Sequence, residues 1–95
     1  MNKKDLVQFV SSKTYMTKKE IDLVLSAALE IIMDAVSSGE RVKLVGFGSF
    51  FSSKRKLPSK LNIHDLFLDV GIPFVHTVRF SPGKFFKQKI NLPRS

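Results

Sequence analysis

Lys54-Arg55-Lys56 sets three cationic side chains in succession, with Lys60 four residues on, Arg79 further along, and Lys84 and Lys87 three apart near the C-terminus. Ammonium and guanidinium groups at this density suit one kind of chemistry: they neutralise rows of anionic oxygens and release the counterions held there. Ser81-Pro82-Gly83-Lys84 adds a second device. It has the form of a helix start, with Ser81 as N-cap and Pro82 at the first helical position. Backbone N–H groups and the helix dipole at such a start suit a phosphate, with Ser81, Gly83 and Lys84 around it.

Catalytic chemistry is poorly supplied. The chain shows no Ser/His/Asp order, no paired-carboxylate setting and no Walker-type phosphate loop, so it is not expected to be an enzyme. It has no cysteine, which removes disulfides, thiolate nucleophiles and Cys-based zinc sites. The two histidines, His64 and His76, are better read as surface or groove residues than as metal ligands. No cofactor, metal or small-molecule substrate is implied.

The positive charge that carries the first argument is unevenly placed. The 95 residues hold 16 Lys and Arg against 8 Asp and Glu, a net +8. Residues 1–40 contain five Lys and six acids, whereas residues 41–95 contain eleven basic groups and two acids. The binding surface is therefore expected in the second half, facing nucleic acid or an anionic membrane surface. A polar N-terminus and the absence of a run of about 18 apolar residues read as a soluble, unprocessed chain.

These charges need elements to hold them. Leu6, Phe9 and Val10 share one face of a short helix over Lys3–Lys13. After a linker at Thr14–Met16, Thr17-Lys18-Lys19-Glu20 has the form of a capping box, opening a second helix that runs to Ser38 and is stopped by Gly39. The second helix is apolar over most of its circumference, with a polar stripe of only Asp22, Ser26, Glu30 and Asp34. A small chain cannot cover such a helix alone, so the same helix of a second copy is expected against it. Val24, Ala28, Leu29 and Ile32 are the expected dimer core, with Phe47 and Phe50 packing beneath the sheet.

Arg41–Val45 alternates as a strand, Gly46-Phe47-Gly48 makes a tight connection, and Ser49–Lys56 returns antiparallel. Residues 57–65 read as a turn. Leu66–Phe80 resumes strand-like sequence, and a short helix runs from Ser81-Pro82 to about Asn91, ended by Pro93.

Gly46-Phe47-Gly48-Ser49-Phe50 between two strands, then a hairpin, then Phe80-Ser81-Pro82-Gly83-Lys84 form one ordered set. With the two helices, Gly39 and the opening Met-Asn-Lys-Lys, it resembles the HU/IHF family of bacterial histone-like DNA-binding proteins, over residues 1–56 and 79–91. That resemblance implies an α+β fold: two N-terminal helices forming an intertwined dimer core, a three-stranded antiparallel sheet with an extended β-hairpin arm, and a short C-terminal helix. It also implies one domain, 1–95, in which 1–40 dimerises and 41–95 carries the sheet, an arm at about 53–78 and the last helix.

The implied function is architectural, largely sequence-nonspecific binding and bending of double-stranded DNA in the minor groove by a homodimer, or by a heterodimer with a paralogue. Such a protein compacts a nucleoid, in a bacterial cytoplasm or in an organelle. The implied contacts are Lys3, Gly46, Gly48, Ser49, Lys54, Arg55, Lys56, Lys60, Asn62, Arg79, Ser81, Gly83, Lys84 and Lys87. The physical reading agrees: an arm limb of roughly ten residues spans about 33 Å, enough to reach around a duplex.

The arm departs from the family. Typical tips carry Arg-Asn-Pro, whose proline wedges between base pairs; here Leu61-Asn62-Ile63-His64-Asp65 keeps Asn62 and puts Ile63 at the wedge, with Pro58 as the alternative if the register slips. The return limb, with Leu66, Phe67, Leu68, Val70, Ile72, Phe74 and Val75, is more apolar than a solvated arm requires. It leaves open a protein-interaction module on the same scaffold. The Gly-Phe-Gly segment also resembles the RNP1 signature of RNA-recognition modules, but two helices precede it and Ser49 stands where that signature has an aromatic.

Overall fold

The computed structural model describes residues 1–56 and 74–93. Its order is α1 (Lys3–Thr14), α2 (Lys18–Ser37), β1 (Val42–Leu44), β2 (Gly48–Lys56), β3 (Phe74–Pro82) and α3 (Lys84–Ile90). Packing divides the chain into two units, Met1–Asp34 and Ala35–Ser95.

In the first unit, α1 opens on a capping box that the sequence reading did not anticipate. Asn2 Oδ1 accepts from the Asp5 N–H at 2.9 Å, and Asp5 Oδ2 accepts from the Asn2 N–H at 3.1 Å. Two donors that a helix start leaves unpaired are thereby satisfied. Tyr15 closes α1 in the left-handed conformation, φ 63°, its N–H donating to the Ser11 carbonyl. The Thr17 cap is present: its hydroxyl accepts from the Glu20 N–H at 3.2 Å. Val7 and Ile21 are buried, while Leu23, Val24, Ile31 and Met33 on α2 are each at least 60% exposed.

In the second unit, α2 ends at Ser37, one residue before the expected stop. The Glu40 N–H donates to Ala35 and the Gly39 N–H to Val36, with Gly39 at φ +93°. This is a Schellman closure, and the φ explains why glycine stands there. The sheet has order β1-β2-β3 and is antiparallel throughout. β1 is shorter than Arg41–Val45 because Val45, Gly46 and Phe47 form the turn, with the Phe47 N–H donating to Leu44.

One expectation fails at the sheet's far end. Ser81 is not a helix N-cap and Pro82 is not the first helical residue; both belong to β3, where Ser49 faces Ser81 and Gly48 faces Pro82. β3 lies at the sheet edge, where a proline closing the strand costs little. The N-cap of α3 is Gly83, with no side-chain cap. Pro58, Lys60, Asn62 and Ile63, the turn at 57–65 and the return limb from Leu66 to Pro73 lie outside the described residues.

Gly48 leaves no room for a side chain. A Cβ there would stand 2.6 Å from both the Phe80 ring and the Ser81 carbonyl oxygen. Replacement of Gly48 by Ala is expected to destabilise the fold by about 2–4 kcal/mol through that overlap. Urea unfolding read by circular dichroism at fixed protein concentration checks this.

Candidate nucleic-acid interface

The ladder register sorts the strand residues onto two faces, because side chains alternate along a strand and directly paired residues share a face. One face is defined by its aromatics. Phe50 and Phe80 are paired with ring centroids 4.9 Å apart, and Phe47 and Phe86 join them, each 5.3 Å from a neighbouring ring. Phe47 and Phe50, the expected core aromatics, both belong to this cluster, although Phe47 is 45% exposed in the single chain.

The opposite face is polar and cationic. Its successive rows are Lys43, Ser49 and Ser81; then Phe51 and Arg79; then Ser53 and Thr77; then Arg55 and Val75. Arg55 and Arg79 therefore share a face two rows apart, about 13 Å along the strand. Lys54, paired with His76, falls on the other side of the ribbon. Lys54 and Arg55 thus go to opposite faces of the ribbon. Such an arrangement suits a limb lying against a groove with anionic walls on either side. Ser49 is buried at 8% exposure, so its part is to pack between β1 and β3.

The turn and the start of α3 are tied together. The Gly83 N–H donates to the Phe47 carbonyl at 2.9 Å, and a Cβ on Gly83 would meet that carbonyl at 3.4 Å. Two of the three members of the expected phosphate cradle of Ser81, Gly83 and Lys84 are placed otherwise. Gly83 spends its donor on the turn, and Ser81 lies in the strand. Lys84 and Lys87 remain as exposed cations on α3, with Lys89 beside them.

Lys3 sits in the other unit and is already engaged. Its Nζ lies 2.6 Å from Ser26 Oγ and 3.5 Å from Asp22 Oδ1, on the polar stripe of α2. The pair is about half exposed, so it is worth at most about 1 kcal/mol and leaves Lys3 able to exchange partners.

The sequence reading missed Arg41, Lys43 and Phe51. Lys43 and Phe51 belong to the cationic face by register, and the Arg41 guanidinium lies over the Phe51 ring at 4.5 Å. A hairpin register drawn outward from Gly46-Phe47-Gly48 would have aligned them. Among the described residues no group of three or more His, Asp and Glu could hold a metal ion, and no helix is long and apolar enough to cross a membrane.

Comparison with known proteins gives the chain's relatives. The family described as "Bacterial DNA-binding protein" matches residues 1–91. The "DNA-binding protein HU" of Nostoc sp. is 46% identical over 95 residues, covering 100% of each chain. The protein of the same name from Thermotoga maritima is 37% identical over 90 residues, 95% of this chain and 99% of the relative. Among solved structures, "Anabaena HU-DNA cocrystal structure" superposes with a TM-score of 0.82 at 45% identity, covering 98% of this chain and 100% of the other.

Proposed function

The chain belongs to the HU/IHF family of bacterial DNA-binding proteins, and from that premise we propose how it grips and deforms a duplex. It is an architectural protein that works as a dimer on double-stranded DNA. The observation that carries the reading is the sheet face opposite the aromatic cluster, where Lys43, Arg79 and Arg55 stand in the first, second and fourth rows of a fold shared with an HU–DNA complex. Cations at fixed spacing on a rigid sheet neutralise phosphates without reading bases, which gives affinity with little sequence preference.

Arg55 and Arg79 contact phosphates from that face, and Lys54, Lys56 and Lys60 extend the grip along the arm. Lys84 and Lys87 widen the footprint from α3, and Lys3 adds to it when it leaves Asp22. Gly46, Gly48 and Gly83 act by shaping the turn against α3 rather than by touching DNA. At the tip, Asn62 contacts the groove and Ile63 is the apolar wedge, with Pro58 as the alternative. The site of action is the bacterial nucleoid in the cytoplasm, which the family's bacterial description supports.

Bending gives this reading a direct test. Smooth bending of a 20–30 bp site costs of the order of 1–6 kcal/mol, which a nicked or pre-bent duplex has partly met in advance. Gel-shift titration is expected to show about tenfold or tighter binding to nicked or pre-bent duplex than to linear duplex of the same sequence. Equal affinities for the three would remove bending from the function.

A further inference from the structure

A cation–aromatic–cation row crosses the outward face of the sheet. Phe51 on β2 faces Arg79 on β3, and because Val42 faces Phe50, the preceding residue Arg41 falls opposite Phe51 on the β1 side. The Arg41 guanidinium carbon lies 4.5 Å from the Phe51 ring centroid, so the two side chains stack across the strands. Phe51 stands on the face away from Phe50 and takes no part in the aromatic cluster, which joins Phe47, Phe50, Phe80 and Phe86. A half-buried large aromatic between two exposed arginines, outside the aromatic cluster, therefore has a role to be found on its own face.

The stack supplies one. A guanidinium lying on a ring uses its flat face for that contact and keeps its N–H groups pointing outward in its own plane. Held there, Arg41 has already lost much of the rotamer freedom that a loose arginine gives up when it grips an anion. Arg79 stands about 10 Å from Arg41 at the backbone, two strand spacings away, and both long side chains can converge on one stretch of nucleic-acid backbone.

Building on the DNA-binding reading above, we infer that Arg41, Phe51 and Arg79 form a preorganised clamp on the DNA backbone. Each guanidinium takes one of two neighbouring phosphates, and the part of the half-buried Phe51 ring left open packs on the deoxyribose between them. The clamp reads no base, so it raises affinity for duplex of any sequence. Phe51 acts twice, as the platform for Arg41 and as an apolar contact of its own.

The test is a fluorescence-anisotropy titration of labelled duplex over a salt series, with circular dichroism confirming that each full-length variant is folded. Phe51→Leu is expected to weaken binding roughly five- to thirtyfold, the scale of removing one exposed cation–π interaction from each of two protomers, with the salt slope unchanged. Arg41→Gln and Arg79→Gln are each expected to lower that slope by about 0.9 per protomer. The Arg41→Gln/Phe51→Leu double variant is expected to bind worse than Arg41→Gln alone but to lose clearly less than the two single losses combined, and Phe51→Tyr, which keeps the platform, to bind like the parent. If Phe51→Leu does not fold, Arg41→Lys serves in its place, expected to weaken binding at unchanged slope. Parental affinity in Phe51→Leu, additive losses in the double variant, or an unchanged slope in Arg41→Gln would each overturn the clamp while leaving salt-dependent DNA binding standing. Failure of the parent to bind duplex would overturn both.

Discussion

Replacing Lys54, Arg55 and Lys56 together by Gln is expected to weaken duplex binding about a hundredfold or more in about 0.1 M salt. Each phosphate contact contributes about 0.9 to the slope of log affinity against log salt, and two protomers carry the substitution twice. The slope should therefore fall by up to about 5. Gln keeps the length and polarity of the side chains, and Lys54 and Arg55 are exposed where the ribbon leaves the aromatic cluster. Thermal melting should consequently move little, since exposed positions away from packing seldom matter by more than about 0.5 kcal/mol. An anisotropy titration with the variant and parent side by side gives the answer. Unchanged affinity would take the arm out of the mechanism.

The second large effect concerns assembly. Among the described residues only Val7, Ile21 and Val36 are buried apolar side chains, and no side chain is fully buried. Three such residues cannot offset the conformational entropy of ordering a chain of this length. The stabilising surface lies in what one protomer leaves bare: Leu23 at 72%, Val24 at 60%, Leu29 at 42%, Ile31 at 67% and Met33 at 61% exposure along α2. These are the side chains that a second copy is expected to cover. Leu29→Glu should put an unpaired charge among them and cost at least about 4–5 kcal/mol, leaving a monomeric, largely unfolded chain. Glu30→Gln, one position along on the polar stripe, should leave the dimer intact. Sedimentation and circular dichroism decide, and a folded Leu29→Glu dimer would show that α2 is not the interface. The parent's melting temperature should also rise with protein concentration, as it does whenever association stabilises the folded state.

Much of this architecture can be read from short sequence signals because their causes are local. Thr17 with Glu20, Gly39 after an apolar helix, and glycines on either side of Phe47 each meet a backbone requirement within a few residues, and the structure uses all three. The unusually apolar α2 likewise announces a second copy on composition alone. Signals of the same kind mislead at Ser81-Pro82. Ser before Pro has the composition of a helix start, yet pairing with Ser49 and Gly48 extends the strand through both, and only the edge position of β3 makes that tolerable. Local chemistry cannot register a competition that is settled by a strand about thirty residues away in the chain.

The binding face shows the same division. Lys54 and Arg55 stand out as charge in the sequence and alternate as neighbours in a strand must, but which face each joins follows only from the ladder. Arg41 and Phe51 are ten positions apart and carry no joint signal until β1 and β2 pair, which brings guanidinium and ring to 4.5 Å. Gly83 could pass for part of a phosphate cradle until its N–H is seen donating to Phe47. Charge and composition locate the surface; register decides which groups can act together on it.

The central claim is that duplex DNA is held chiefly through its phosphates, and titrating the unmodified protein with linear duplex at salt concentrations from about 0.05 to 0.2 M tests it most directly. With six to ten phosphates engaged per dimer, affinity should fall by roughly a thousandfold to a hundred-thousandfold over that range, on a straight line of log affinity against log salt. Absence of duplex binding, or binding that barely changes with salt, would contradict the account.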